Sequence, residues 1–255
     1  MQPHWFYTVW PFIGVGAAIV MIAVLLMTDA FRGDTTVSRW RDPYWLGWLA
    51  APLYWIHQFE EYSLETLGFN YSIQNMIAQK LGYPPYPDCP IPLSFYPVVN
   101  IALMWFGALL AAYLGKRNVL IGLCFWGLLL ANGLVHSAGG ILEGSYNTGL
   151  WSAALLFVPL SIWVFYASAI RGPYSRKVVG AAYAAGALTH VFLFVGYGLY
   201  KAEVIGNAGL IVHGIVIGFT PIILAAIASR FFKPEALTPR VQRQAIVGSE
   251  LAPAR

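Results

Sequence analysis

The stretch Trp55-Ile56-His57-Gln58-Phe59-Glu60-Glu61-Tyr62 places one imidazole and two carboxylates at the end of an apolar run long enough to span a membrane. In a helix, His57, Glu60 and Glu61 are related as i, i+3 and i+4 and project from one side. That spacing suits holding a metal ion or running acid–base chemistry. Charged groups at such depth cost roughly 2.5–3.5 kcal/mol each on insertion scales. A functional role therefore outweighs the plainer reading, a polar cap on the helix end.

A second polar set runs from Asn132 to Glu143. On a helical wheel Asn132, His136, Gly139 and Glu143 fall in one narrow sector. The small residues there let a neighbouring helix or a substrate come close. His190 and His213 lie in later apolar segments, and His213 shares its segment with Thr220 and follows Asn207. Tyr54, Tyr183 and Tyr197 lie on the same faces as nearby histidines, as proton donors or, more commonly, as packing. Glu65 faces the outer aqueous layer, and His4 has no assigned role.

These residues need helices to position them. Of the 255 residues 58% are hydrophobic and only 10% charged, against about 25% charged in a soluble domain. With mean hydropathy +0.63 and repeated apolar runs of about 20 residues, the chain reads as an all-α, polytopic transmembrane bundle of about seven spans. The spans fall near 6–27, 44–63, 95–114, 119–142, 151–170, 178–200 and 208–231, with Pro221 inside the last. Residues 1–232 then form the bundle and 233–255 a polar cytoplasmic tail. The first run lacks a basic flank and a small-residue cleavage site, so it reads as a retained helix. The 65–94 connection predicts a short surface helix over 70–81. Gly82 to Pro90, rich in proline, cannot be helical; this segment is either a lid or an ordinary connection. Cys89 and Cys124 are not expected to pair. No lysine falls inside a span, which excludes a retinal Schiff-base protein.

Lys and Arg in alternate connecting segments number 2 against 13, accounting for all 15. By the positive-inside rule the N-terminus lies outside and the C-terminus in the cytoplasm. The net charge of +4 is thus a topology signal and not a nucleic-acid one. At 1.5 Å per residue, His57, His136, His190 and His213 come to within about one and a half turns of each other in height. All four are expected in the outer half of the membrane.

His57-Gln58-Phe59-Glu60-Glu61 together with Asn132…His136 and His136…Gly140 resembles the HXXEE family of integral membrane proteins, recognised by HxxEE, NxxxH and HxxxG elements. The resemblance covers roughly residues 50–145. It implies a membrane protein with these motifs and supplies no reaction. The seven-helix alkaline ceramidase and adiponectin-receptor group is similar in span number and membrane histidines. Its paired HxxxH in the last span has no counterpart here, where only His213 appears.

The residues predict a metal-dependent membrane enzyme, hydrolase-like, acting on a lipid or other hydrophobic substrate. His57, Glu61, His136 and His213 are the expected metal ligands, with His190, Tyr54 and Tyr197 as additional candidates. Glu60 or Glu143 would be the base, and Asn132 would orient a ligand or polarise substrate. Imidazole and carboxylate without thiolate suit Zn, Fe or Mn; haem is disfavoured because adjacent Glu60 and Glu61 would crowd it with negative charge. The alternatives are a metal-free acid–base isomerase of a sterol or isoprenoid and a proton-coupled transporter or sensor. Expected partners are membrane lipids and a hydrophobic small molecule, with no nucleic acid. The expected location is the bacterial inner (plasma) membrane. A topology reporter fused after Arg255 should be active only in the cytoplasm; periplasmic activity would overturn the assigned orientation.

Overall fold

A computed structural model describes residues 5–63 and 71–233. The predicted tail beyond Lys233, Glu65 and His4 lie outside the described residues. The described residues form eight main helices and no strand: α1 (Phe6–Met27), α2 (Pro43–Ser63), α3 (Ser72–Leu81), α4 (Phe95–Gly115), α5 (Val119–Glu143), α6 (Leu150–Ile170), α7 (Arg176–Lys201) and α8 (Asn207–Ala228). Side-chain caps mark two of the starts. Asn118 Oδ1 accepts from Leu120 N at 3.0 Å at the head of α5, and Ser175 Oγ accepts from Val178 N at 3.3 Å at the head of α7. The short helix expected over 70–81 is α3, and residues 82–91 are non-helical.

Six helices, α1 and α4–α8, are long and apolar enough to cross a membrane. The expected count of about seven included α2, which does not meet that measure. Its 21 residues carry His57, Gln58, Glu60 and Glu61 at one end, yet 15 of them are buried. The surrounding helices shield α2, so its polarity need not be tolerated by lipid. α2 runs antiparallel to α1, with Trp10 against Tyr62 at one end and Trp45 Nε1 donating to Leu25 O at 2.9 Å at the other. Trp126 Nε1 donates to Leu46 O at 2.9 Å and ties α5 to α2. α5 is the central span, with 72% of its apolar window buried against 28% for α1.

Lipid is as apolar as the side chains it would replace, so helices in a membrane associate through close packing and hydrogen bonds. α5 and α7 achieve this with glycine. A Cβ on Gly127 would sit 1.9 Å from Tyr183 O, and one on Gly186 would sit 1.9 Å from Cys124 O. Backbone therefore meets backbone. Tyr183 OH donates to Ser161 O at 2.6 Å, and Ser161 Oγ to Trp126 O at 3.2 Å, linking α5, α6 and α7. Cys124 and Cys89 are both free and buried.

At the opposite end a separate aromatic core, including Trp10, Tyr62, Tyr86, Phe95, Tyr96 and Tyr197, holds α3 and the proline-rich segment over the bundle. Tyr200 OH donates to Pro90 O at 2.7 Å, and Lys201 Nζ donates to Leu81 O. The 71–94 segment is a packed roof. Gly186→Val should force α5 and α7 apart and destabilise the protein by about 1–3 kcal/mol or more. A lowered unfolding midpoint in detergent checks this, and an unchanged midpoint would contradict the close approach.

Candidate metal centre

Two helix ends and the α5–α6 turn build the site. From α2, His57 and Glu61 stand one turn apart; from α5, His136 faces them. Glu61 Oε1 lies 3.2 Å from His57 Nε2 and 3.2 Å from His136 Nε2. One ligand atom from each residue lies within 4.8 Å of the others, and all three residues are buried. The imidazoles meet edge to face with ring centroids 4.9 Å apart, and Phe157 packs 4.7 Å from the His57 ring.

The far nitrogens decide what the near ones present. His57 Nδ1 is 2.8 Å from Ser152 Oγ, whose single proton goes to Glu60 Oε2. Ser152 must therefore accept from the ring, so Nδ1 carries the hydrogen and Nε2 offers a lone pair. His136 repeats the logic. Asn147 Nδ2 donates to His136 O at 2.9 Å, so its Oδ1, 3.0 Å from His136 Nδ1, accepts from that ring. With both rings neutral, two imidazole lone pairs and a carboxylate oxygen converge. His57 Nε2 has no hydrogen-bond partner among the described residues. Three such acceptors, all buried, form a group that could hold a cation between them.

The turn between α5 and α6 is the third wall. Gly149 has φ +89°, and a Cβ there would lie 2.6 Å from His57 Cε1 and 3.0 Å from His136 Cε1. Only glycine takes that backbone freely and leaves room for both rings. Glu60 fixes the same turn. It accepts from Trp151 N at 3.0 Å, Ser152 N at 2.8 Å and Tyr146 OH at 2.9 Å, a carboxylate seated on the N-terminus of α6. Burial and the Glu60 carboxylate push the Tyr146 phenol up to about 12, so it remains a donor through neutral pH. Thr148 Oγ1 bonds the carbonyls of Glu60 and Glu61 at 3.2 Å each, stitching the turn to the end of α2.

Gln58 lies next in a buried chain: Gln58 Nε2 donates to Asn100 Oδ1 at 3.1 Å, and Asn100 Nδ2 to Tyr62 OH at 3.0 Å. Beside the cluster a cavity of about 140 Å³ is lined by Glu61, His136, Tyr54, Asn132, His190 and Tyr197 among others. Ile73, Met76 and Ile77 of α3 form part of its wall.

Of the residues singled out from sequence, the structure brings His57, Glu61 and His136 together, and places Asn132, His190, Tyr54 and Tyr197 on the adjoining cavity. It does not bring His213 there. His213 Nε2 bonds Phe192 O at 3.0 Å, and its ring packs on Gly196, so it joins α8 to α7. Shared height does not set rotation about a helix axis. Glu143 is exposed at the end of α5 and lines a separate polar cavity with Tyr146, Asn147 and Thr148. Glu60, expected as a base, has both oxygens engaged by α6 and Tyr146. Asn147, Gly149 and Ser152 were missed in the sequence. The one available signal was a short Asn-Thr-Gly-Leu-Trp-Ser turn following the His136 helix.

Residues 48–164 match the protein family of unknown function with an HXXEE motif. The HXXEE segment starts within α2 and ends within α6. It therefore contains His57, Glu60, Glu61, His136, Asn147, Gly149 and Ser152, and stops before His190 and His213. No curated protein and no solved structure matches the chain. Gly149→Ala should cost at least about 1–2 kcal/mol for its left-handed backbone and displace the His57 ring. A lowered unfolding midpoint and altered histidine NMR signals check this; an unchanged His57 signal would refute the contact.

Proposed function

We propose that His57, Glu61 and His136 hold one divalent metal ion of the Zn, Fe or Mn class. We further propose that this multi-pass membrane protein is a metal-dependent hydrolase acting on a lipid or other hydrophobic substrate. The observation that carries the reading is the convergence of three buried acceptors whose outer nitrogens are locked by Ser152 and Asn147. Two donors on a tetrahedral ion with bonds of about 2.0–2.1 Å lie about 3.3 Å apart, and Glu61 Oε1 lies 3.2 Å from each imidazole Nε2. Two histidines and one carboxylate also form the ligand set of catalytic zinc sites that keep a position open, and of mononuclear iron sites.

The chain's own residues divide the work. Glu61 supplies the negative charge and the two imidazoles supply neutral ligands. Ser152, oriented by Glu60, and Asn147 hold the rings in the ligating tautomer, as hydrogen-bonded outer partners do in metal sites. The adjoining cavity, with the Tyr54 hydroxyl and Asn132 in its wall, is where a polar group of the substrate would sit. A bound zinc would supply a water acidic enough to serve as nucleophile at neutral pH. The charge pattern of the connecting segments supports a site in the outer half of a plasma membrane.

Elemental analysis of the detergent-solubilised protein should find about one Zn, Fe or Mn per chain. The His57→Ala/His136→Ala double variant should lose it. Ser152→Ala should weaken metal affinity by about 10–100-fold with the fold retained. Absence of metal from the wild type, or unchanged metal in the double variant, would sink this reading.

A further inference from the structure

α5 and α7 touch backbone to backbone at Gly127 and Gly186, then enclose the 140 Å³ cavity toward the histidine end, where Asn132, Val135 and His136 face His190, Leu193 and Phe194. Val135 and Phe194 line that cavity and are also 46% and 56% exposed on the outside of the bundle. The α5–α7 seam at Val135 and Phe194 is therefore a slot where only side chains separate the cavity from the apolar exterior.

Inside the slot, polar atoms lack partners. Asn132 Oδ1 and His190 Nδ1 are buried with no hydrogen bond among the described residues. Asn132 Nδ2 donates to Tyr54 OH at 3.4 Å, so Asn132 Oδ1 is left as an acceptor. The proton of the Tyr54 hydroxyl meets no acceptor among the described residues. Buried polar atoms without partners are uncommon in folded interiors, and these three residues border one space. What fills it must both give and take a hydrogen bond. A hydroxyl does so, donating to Asn132 Oδ1 and accepting from Tyr54. A carboxylate can only accept, and without a bound metal it would lie near the Glu61 charge. Lys80, exposed on α3, borders the same cavity and would attract an anionic group, as would a metal held at Glu61. A cavity of about 150 Å³ accommodates a benzene-sized molecule. This one therefore takes a polar group and its first few carbons, and a longer chain must leave through the slot.

We propose that the α5–α7 slot is a lateral portal admitting a single-chain lipid alcohol, or the alcohol side of its ester, from the membrane. The hydroxyl lodges among Tyr54, Asn132 and His190, and the chain runs out past Val135 and Phe194. The proposal rests on the hydrolase reading only for what happens next; binding itself needs no metal.

The full chain in lipid nanodiscs is photolysed with a hexadecanol bearing a diazirine about six carbons from the hydroxyl, and the labelled peptides are mapped. Label should concentrate in residues 128–136 and 189–197 and be displaced by unlabelled hexadecanol. It should fall about tenfold in Asn132→Leu, the loss of one buried hydrogen bond. Phe194→Trp, which narrows the slot and leaves Asn132 in place, should lower it as well. Labelling of the exposed α1 face around Ile19 and Val20 at the same level would overturn the portal, and so would labelling that unlabelled alcohol does not displace. Equal displacement by hexadecanoic acid would overturn the hydroxyl assignment in favour of an anionic head drawn by Lys80. Metal content of the same sample is read separately, so specific labelling without metal keeps this proposal and fails the metal reading.

Discussion

The rest of the structure depends on one unfavourable contact. Glu61 Oε1 sits between the Nε2 atoms of two imidazoles, all buried, where taking a charge out of water costs several kcal/mol per ion. Such an arrangement persists only if the surrounding protein holds it rigidly and if positive charge, a proton on an imidazole or the proposed metal, offsets the carboxylate. Both conditions shape the molecule. α2, too polar to face lipid, is wrapped by apolar spans, and the histidine-bearing end is roofed by α3 and its aromatic core.

Rigidity comes from a turn and not from the ligand-bearing helices. The α5–α6 connection gives Asn147 to one imidazole and Ser152 to the other, and Gly149 slips between the rings. Glu60 anchors that turn by bonding the first amides of α6. The two adjacent glutamates therefore have different work: Glu61 faces the imidazoles, while Glu60 orients the group that orients His57. Identical side chains one residue apart diverge by about 100° on a helix, which is enough to send one to the proposed metal and the other to a helix N-terminus.

Glycines bring α5 and α7 into backbone contact at Gly127 and Gly186. Further along, the same two helices line the cavity next to the cluster. It has an apolar side toward the exterior and a hydrogen-bonding side formed by Tyr54, Asn132 and His190, the combination expected of a small-molecule site.

Helix positions were legible in the sequence because apolar runs and their polar ends report burial along one dimension. α1 and α4–α8 lie close to the expected ranges. The pairing of His57 and Glu61 followed from i, i+4 spacing, and the placing of His136 near them from its height and its motif. Rotation about each helix axis was not legible. It depends on which neighbour each face meets, so His213 turned to a carbonyl of α7 while His190 turned to the cavity. The supporting turn was illegible for a related reason. Asn147, Gly149 and Ser152 become meaningful only once α2 is packed against it, about 90 residues away in the chain. The sequence by itself determined which segments are helices and which polar side chains they carry. Tertiary structure alone decided which of those side chains share a site, because that choice is made by contacts between helices.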